Sequence, residues 1–309
     1  MRAPMVTDFG ATQELLDIQR PEPAAGEVRV RVRAASVNGF DNAVAAGYLK
    51  GMMEHRFPVV LGKDFAGEID AVGADVDGFA VGDRVFGVVT KAHLGDGSFG
   101  EYVTVPTAVG LAKLPASIEF AEAAWLRLAG AAAVASIDAA ELTAGHTVLV
   151  VGATGGVGGL VVQLAARAGA QVIATADAAS EAHVRDLGAA EAIDYTGDVP
   201  AATLAAHPGG VDVLVHLAGD PTALLPVVRP GGKFISTLIG SPDRLPSDTV
   251  TVLPIFANPT ADILNRLAGN QDSGDTKVTV EQTYPLDDAA RALTDFGAGS
   301  VGKRVIVIA

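Results

Sequence analysis

The sequence predicts an α/β chain, with a doubly wound parallel sheet in its middle and a compact β-rich, barrel-like domain made from the first third and closed by the C-terminal segment. Three observations predict it. From about Ser117 longer apolar segments alternate as helix and strand, the pattern of parallel strands joined by crossover helices. Before that point the chain reads as short strands punctuated by glycine at 62, 67, 73, 78, 82, 87, 95, 97 and 100. Near the end the style of the first third returns. The expected division is therefore residues 1–116 with 259–309 for the β-rich domain, and 117–258 for the parallel sheet.

In VRVRVRAASV, Val28, Val30 and Val32 alternate with Arg29, Arg31 and Arg33, the period of a strand with one buried face. GEIDAVG, DRVFGVV and EYVTVP continue the strands, with a short helix between Asp41 and Gly47. EFAEAAWLRLAGAAAVASIDAAEL is Ala-rich and reads as helix. VLVV, QVIATA, EAIDY, VDVLVHLA and KFISTL follow as strands separated by segments of helical length. A helix near Asn258 to Gly269 leads to a strand (TKVTVEQ), a helix (LDDAARALTDF) and a last strand (KRVIVIA).

Composition narrows the function classes. With 22 Lys and Arg against 36 Asp and Glu, the net charge is −14, and such a surface repels nucleic-acid phosphates and anionic lipid. No apolar run reaches the length of a bilayer span, and the N-terminal segment lacks the basic and apolar regions of a signal peptide, so a cytoplasmic protein is expected. The absence of cysteine removes disulfides, Cys-ligated zinc and thiol nucleophiles together.

Gly152, Gly155 and Gly158 form GxxGxxG directly after the strand VLVV and at the start of a helix. Glycines there allow a tight turn, let the backbone approach a pyrophosphate closely, and place it at the positive end of the helix. The loop Gly152, Ala153, Thr154, Gly155, Gly156, Val157 and Gly158 is thus a dinucleotide cradle. It is not followed by Lys-Ser/Thr as in a P-loop, and no GxSxG elbow occurs. Thr175 and Asp177 close the second strand, where an Asp would bond the ribose 2′-hydroxyl of NADH, and no Lys or Arg occurs from Ala168 to Val184 to meet the 2′-phosphate of NADPH. His216, at the C-terminal end of a parallel strand, is a candidate for the nicotinamide side.

Taken together, AASVNGFD, FPVVLGKDFAGEIDAVG, FAVGDRVFG, GSFGEYVTVP, the glycine motif through Gln163, LGAAEAIDY, GVDVLVHLAG, VRPGGKFIS and PLDDAARAL with VGKRVIVI resemble the medium-chain dehydrogenase/reductase superfamily, specifically its zinc-free quinone oxidoreductase (zeta-crystallin-like) branch. The resemblance implies a GroES-like catalytic domain, a Rossmann cofactor domain, and hydride transfer from NADPH or NADH to a quinone or conjugated carbonyl held in the cleft between them. It also implies a homodimer. The zinc alcohol dehydrogenases of the superfamily carry a GHE segment where this chain has Gly62, Lys63 and Asp64, and a zinc cysteine where it has Asn38, so no metal is expected. Thr154, Ala166, Ala132 and Ala43 depart from the branch's usual residues, and Asp177 and Ala179 stand where related reductases often hold the 2′-phosphate with Ser and a basic residue. The resemblance therefore favours NADPH while the residues favour NADH.

In the cleft, the resemblance makes Asn38 a hydrogen-bond donor to the acceptor carbonyl, with Asp41 beside it, either at the cleft floor or capping the following helix. Tyr48 is a proton-donor candidate or a surface residue, Lys63 and Asp64 either reach the substrate or, as is expected, pair with each other, and His93 is expected to be solvated in its loop. Two alternatives stand beside quinone reduction: reduction of the double bond of a 2-alkenal or enone, and a non-catalytic dinucleotide-binding protein.

Overall fold

A computed structural model of the chain describes residues 1–278, 280–297 and 303–309. They gather into two compact units, Met1–Leu128 with Pro259–Ala309, and Ala129–Asn258.

In the first unit the strand Glu27–Ser36 is central: it pairs antiparallel with Asp64–Val72, Tyr102–Pro106 and Lys303–Val307. Arg84–Val88 and Leu111–Lys113 extend the sheet on one side, and Val280–Pro285 adds in parallel to Lys303–Val307 on the other. Thr279, inside the expected strand TKVTVEQ, and Val301 and Gly302, just before the last strand, lie outside the described residues. The alternation in VRVRVR follows from two environments. Val28, Val30 and Val32 are fully buried, while Arg29 reaches Asp70 at 2.8 Å and Glu22 at 2.9 Å, and Arg33 reaches Glu68 at 2.8 Å. The short helix after this strand runs Gly39–Ala45.

The Ala-rich segment is two helices, Phe120–Leu126 and Leu128–Ala140, bent by 47°. Arg127, between them, has ψ −74°, and the Leu128 amide turns to the Asp64 carboxylate at 3.4 Å. Ala123, Ala124 and Leu126 pack with Phe86, Leu264 and Val305. The boundary expected after residue 116 therefore falls after Leu128, because this first helix fills the core of the β-rich unit. Among the described residues no single helix is long and apolar enough to cross a membrane.

The second unit holds six parallel strands in the spatial order Glu191–Ile193, Gln171–Thr175, Thr147–Val151, Val211–His216, Val228–Ser236 and Thr251–Pro254. The order reverses between Thr147–Val151 and Val211–His216, and such a reversal opens a crevice at the carboxyl ends of the strands. Val148, Leu149 and Val150 are fully buried, as strands covered on both faces must be. Thr251–Pro254 is absent from the sequence expectation; it is a four-residue edge strand ending in proline.

Candidate functional site

The glycine loop lies at this reversal point. It joins Thr147–Val151 to the helix Gly156–Arg167. Gly152 has φ +89°, and a Cβ on Gly158 would stand 2.1 Å from the Gly152 carbonyl oxygen. Turn geometry thus demands the first glycine and helix-to-loop packing demands the third. Gly155 differs: a Cβ there would meet only that same carbonyl, at an ordinary 3.5 Å. The fold leaves room at Gly155, the N-cap of the helix, and that open space suits close approach of a pyrophosphate. No side chain caps this helix and no acid occupies its first turn, so its amides and positive end stay open to an anion. Ala153 and Gly158 are buried, while Gly152, Thr154, Gly155, Gly156 and Val157 form the partly exposed rim. These residues fit a dinucleotide.

The neighbouring candidates are tied into the protein. Thr175 is buried, and its hydroxyl accepts from the Gly152 amide at 2.9 Å, so it fixes the turn. The Asp177 carboxylate accepts from the Ser180 hydroxyl, the Ser180 amide (2.9 Å) and the Tyr195 hydroxyl (3.0 Å). The Ser180 and Tyr195 hydroxyls hold its pKa below the ordinary carboxylate value. Arg185, the nearest Arg in sequence, is engaged by Glu181 at 2.8 Å and by the Ala190 carbonyl at 3.0 Å. His216 is 1% exposed, with Nδ1 2.8 Å from the Ser236 hydroxyl and Nε2 3.1 Å from the Gly219 carbonyl. A carbonyl only accepts, so Nε2 carries the hydrogen and Nδ1 accepts from Ser236. Burial lowers the pKa of His216, and a neutral ring with both nitrogens engaged clamps two strand ends. That geometry leaves no ring nitrogen for the nicotinamide.

The first unit buries a charged cluster where its strands begin and end. Asp64 is 0% exposed, Arg127 0%, Asp41 1% and Lys303 5%. Asn38 links them. Its Oδ1 accepts a short hydrogen bond from Lys303, whose Nζ also donates to the Val37 carbonyl at 3.2 Å. Its Nδ2 donates to Asp64 Oδ2 at 3.2 Å and to the Ser36 hydroxyl at 3.1 Å, and that hydroxyl donates to Asp64 at 3.1 Å. Both ends of the Asn38 amide are therefore spent inside the cluster, which redirects the donor expected to face a carbonyl. Asp41 accepts from the Asn38 amide at 2.8 Å and so closes the first turn of Gly39–Ala45, the capping alternative.

Burial dominates the electrostatics. It pushes the Asp41 carboxyl up to about 7, with the Asp64 charge adding to the rise and the Asn38 amide opposing it. Burial also raises Asp64, against the pull of Arg127 and Lys303, and lowers Lys303 to about 8 and Arg127 to about 9. The three guanidinium nitrogens of Arg127 and Asp64 Oδ1 have no hydrogen-bond partner among the described residues.

Beside the cluster lies a small, partly open cleft lined by Phe40, Asp41, Lys63, Val89, His93 and Asp96 among others. Lys63 makes no ion pair with Asp64, contrary to expectation, because Asp64 points its Oδ2 at Ser36 and Asn38. Its ammonium instead lies 5.2 Å from the centre of the Phe40 ring. His93 is more enclosed than a solvated loop residue: its Nε2 lies 3.2 Å from Asp96, which Lys91 also holds at 3.0 Å. Tyr48 is 78% exposed on the surface of the unit. Among the described residues no three His, Cys, Asp or Glu side chains converge as metal ligands. Sequence reasoning missed Lys303 and Arg127; the one signal for Arg127 was that it is the single basic residue of the Ala-rich segment.

The alcohol dehydrogenase GroES-like domain family matches residues 24–116, and the zinc-binding dehydrogenase family matches residues 187–306. A chloroplast envelope quinone oxidoreductase homolog of Arabidopsis thaliana is 30% identical over 309 residues, covering 95% of this chain and 93% of that protein. The chloroplastic NADPH-dependent alkenal/one oxidoreductase of Arabidopsis thaliana is 31% identical over 318 residues, covering 99% of this chain and 79% of that one. Among solved structures, the quinone oxidoreductase from Coxiella burnetii matches with a TM-score of 0.91 at 25% identity, over 100% of this chain and 99% of that chain.

Proposed function

From the premise that this chain belongs to the medium-chain dehydrogenase/reductase superfamily, in its quinone oxidoreductase branch, we propose that it is a metal-independent NAD(P)H-dependent reductase of quinones. The observation that carries this reading is the cluster of Asp41, Asp64, Arg127 and Lys303, with Lys63 at its edge. Three cationic side chains surround two carboxylates, one of which is protonated through much of the acid range. The surplus positive charge suits a reaction in which an acceptor oxygen becomes negative.

Zinc does not suit this donor set. A protonated lysine or arginine has no lone pair to offer a metal, and the two carboxylates are already faced by Arg127 and Lys303. Without a metal to lower the pKa of an alcohol, an already electrophilic acceptor is the better substrate. The dinucleotide, when bound, supplies the hydride. Gly152, Gly155 and Gly158 let it approach the backbone, and the open start of Gly156–Arg167 faces its phosphates.

For the nucleotide, NADH is the proposed choice. Asp177 is held ionised by Ser180 and Tyr195, and no cation contacts it among the described residues, so a 2′-phosphate would meet bare negative charge. The kcat/KM for NADH is expected to exceed that for NADPH by about tenfold or more, and Asp177→Ser with Ala179→Arg should reverse the order. An unchanged ratio in that double variant removes Asp177 as the determinant.

Enone reduction is the second reading, favoured by the alkenal/one oxidoreductase relative. Offering 1,4-benzoquinone and a medium-chain enone in parallel, with each nucleotide, separates the two. Binding of nucleotide without oxidation in either case would leave only the binding-protein alternative.

A further inference from the structure

The five ionisable side chains of the first unit's site are not equally free to act. Asp41 is bound to the Asn38 amide, and Lys303 to Asn38 Oδ1 and the Val37 carbonyl. Asp64 and Arg127 are wholly enclosed. Lys63 alone of this set is half-buried, lines the cleft and forms no hydrogen bond or ion pair among the described residues.

Its position is nonetheless fixed. Gly62 has φ +99°, and a Cβ there would lie 2.5 Å from both the Ser98 hydroxyl and the Phe99 ring, so the backbone before Lys63 is pressed against that loop. The Ser98 amide donates to the Gly62 carbonyl at 3.0 Å, the Val89 amide to the Lys63 carbonyl at 2.8 Å, and the Ser98 hydroxyl to the Asp64 carbonyl at 2.7 Å. Three consecutive carbonyls are thus anchored. The backbone is rigid while the ammonium, apart from the Phe40 ring, has no hydrogen-bonding or ion-pair partner among the described residues, which is the arrangement of a group kept for something not yet present.

We propose that Lys63 is a catalytic residue of this site, its ammonium standing against the oxygen that becomes negative as the acceptor is reduced and passing that oxygen a proton. The inference rests on the reductase reading. Hydride from the reduced nicotinamide dinucleotide brings the acceptor two electrons and one hydrogen, which leaves an acceptor oxygen anionic. An Nζ–H bond of Lys63 then breaks and an O–H bond forms, and the neutral amine recovers its proton from water. The groups facing Lys63 are Asp41 from Gly39–Ala45, Asp64 on its own strand, Arg127 from the break between the helices, and His93 and Asp96 across the cleft. Burial is the main influence on its amine and, with Arg127, lowers its pKa, while Asp64 and Asp41 oppose the fall. A weaker hold on the proton favours giving it away.

The test uses the whole chain and two readouts. Without reduced dinucleotide, 4-nitrophenol is titrated into the protein, and its absorbance reports how readily the bound phenol ionises. The wild type should bind the phenolate preferentially, lowering the probe's ionisation midpoint by about one pH unit. Lys63→Met should abolish that shift and reduce kcat for benzoquinone by about a hundredfold. Lys63→Arg should keep the phenolate preference and still lose kcat, because a guanidinium holds its charge but does not release its proton. Thermal melts of both variants check the fold. If Lys63→Met keeps the shift and the wild-type kcat, the assignment of Lys63 is overturned while the reductase reading stands. If the wild type reduces no acceptor but shows a shift that Lys63→Met abolishes, the reductase reading fails and Lys63 stands as the anion-facing charge.

Discussion

The loop Gly152 to Gly158 contains no titratable side chain, and the ionisable groups near it are engaged: His216 is neutral between Ser236 and Gly219, and Asp177 is held by Ser180 and Tyr195. In the first unit, Asp41, Asp64, Arg127 and Lys303 are instead packed together at 5% exposure or less. Under the proposed function, one region would meet its ligand with backbone and vacant space, the other with charges withdrawn from water. The difference follows from the partner each region suits. A dinucleotide brings its own phosphates and needs donors and room, whereas an uncharged acceptor acquires charge only during reaction and needs a field already in place.

The largest expected effect breaks the comparison on the glycine side. Gly158→Ala drives a Cβ to within 2.1 Å of a backbone oxygen, and should cost about 4 kcal/mol or more in chemical denaturation, along with nucleotide binding. Gly155→Ala, whose Cβ has space but which exchanges an N-cap glycine for a poorer cap, should cost no more than about 1 kcal/mol and weaken nucleotide binding about tenfold. Equal stabilities for the two variants would show that vacancy is not allotted as described.

On the charged side, Lys303→Met removes a buried cation from Asn38, Asp41 and Asp64, and should cost about 3 kcal/mol. Adding Asp64→Asn should restore part of it, since the orphaned charge is then gone; a strictly additive double variant would argue against electrostatic coupling.

A more gradual effect is a pH dependence. The Asp41 carboxyl rises from an ordinary 3.8 to about 7, so between those values the folded chain keeps a proton that the unfolded chain has released. Its contribution to stability is full below the lower value and is lost as pH rises through the higher one. Lys303, lowered from 10.5 to about 8, has the opposite sense: its contribution is full above the higher value and lost as pH falls through the lower. Asp41→Asn should keep the cap through its amide oxygen and remove about 4 kcal/mol of the decline between pH ~4 and ~7, read from unfolding at a series of pH values. A variant with the wild-type slope would assign that decline to other groups.

The two regions were also unequally legible in the sequence. The glycine loop is a local pattern, so strand, break and helix stand in order over a single stretch and the ligand class follows from spacing. The charged cluster is assembled by topology. Lys303 and Asn38 are 265 residues apart and meet because Lys303–Val307 pairs beside Glu27–Ser36. Arg127 read as a polar position on a continuous helix, and only the bend that carries the Leu128 amide to Asp64 reveals it. Asn38 and Asp41 were visible as a pair; their hydrogen bonds to each other and to Lys303 were not, since nothing in VNGFD shows what arrives from the far end of the chain.

The chain order of that last strand bears on how the molecule is made. Ala129–Asn258 is one continuous stretch, so a ribosome releases everything that unit needs before Lys303 has been translated. The other unit must wait for Lys303–Val307 to dock, and until then Asp41 and Asp64 lack the ammonium that compensates their burial. The Ala129–Asn258 unit can therefore mature during synthesis, while the burial of Asp41 and Asp64 in the other unit is compensated only once Lys303, more than two hundred residues downstream, has emerged.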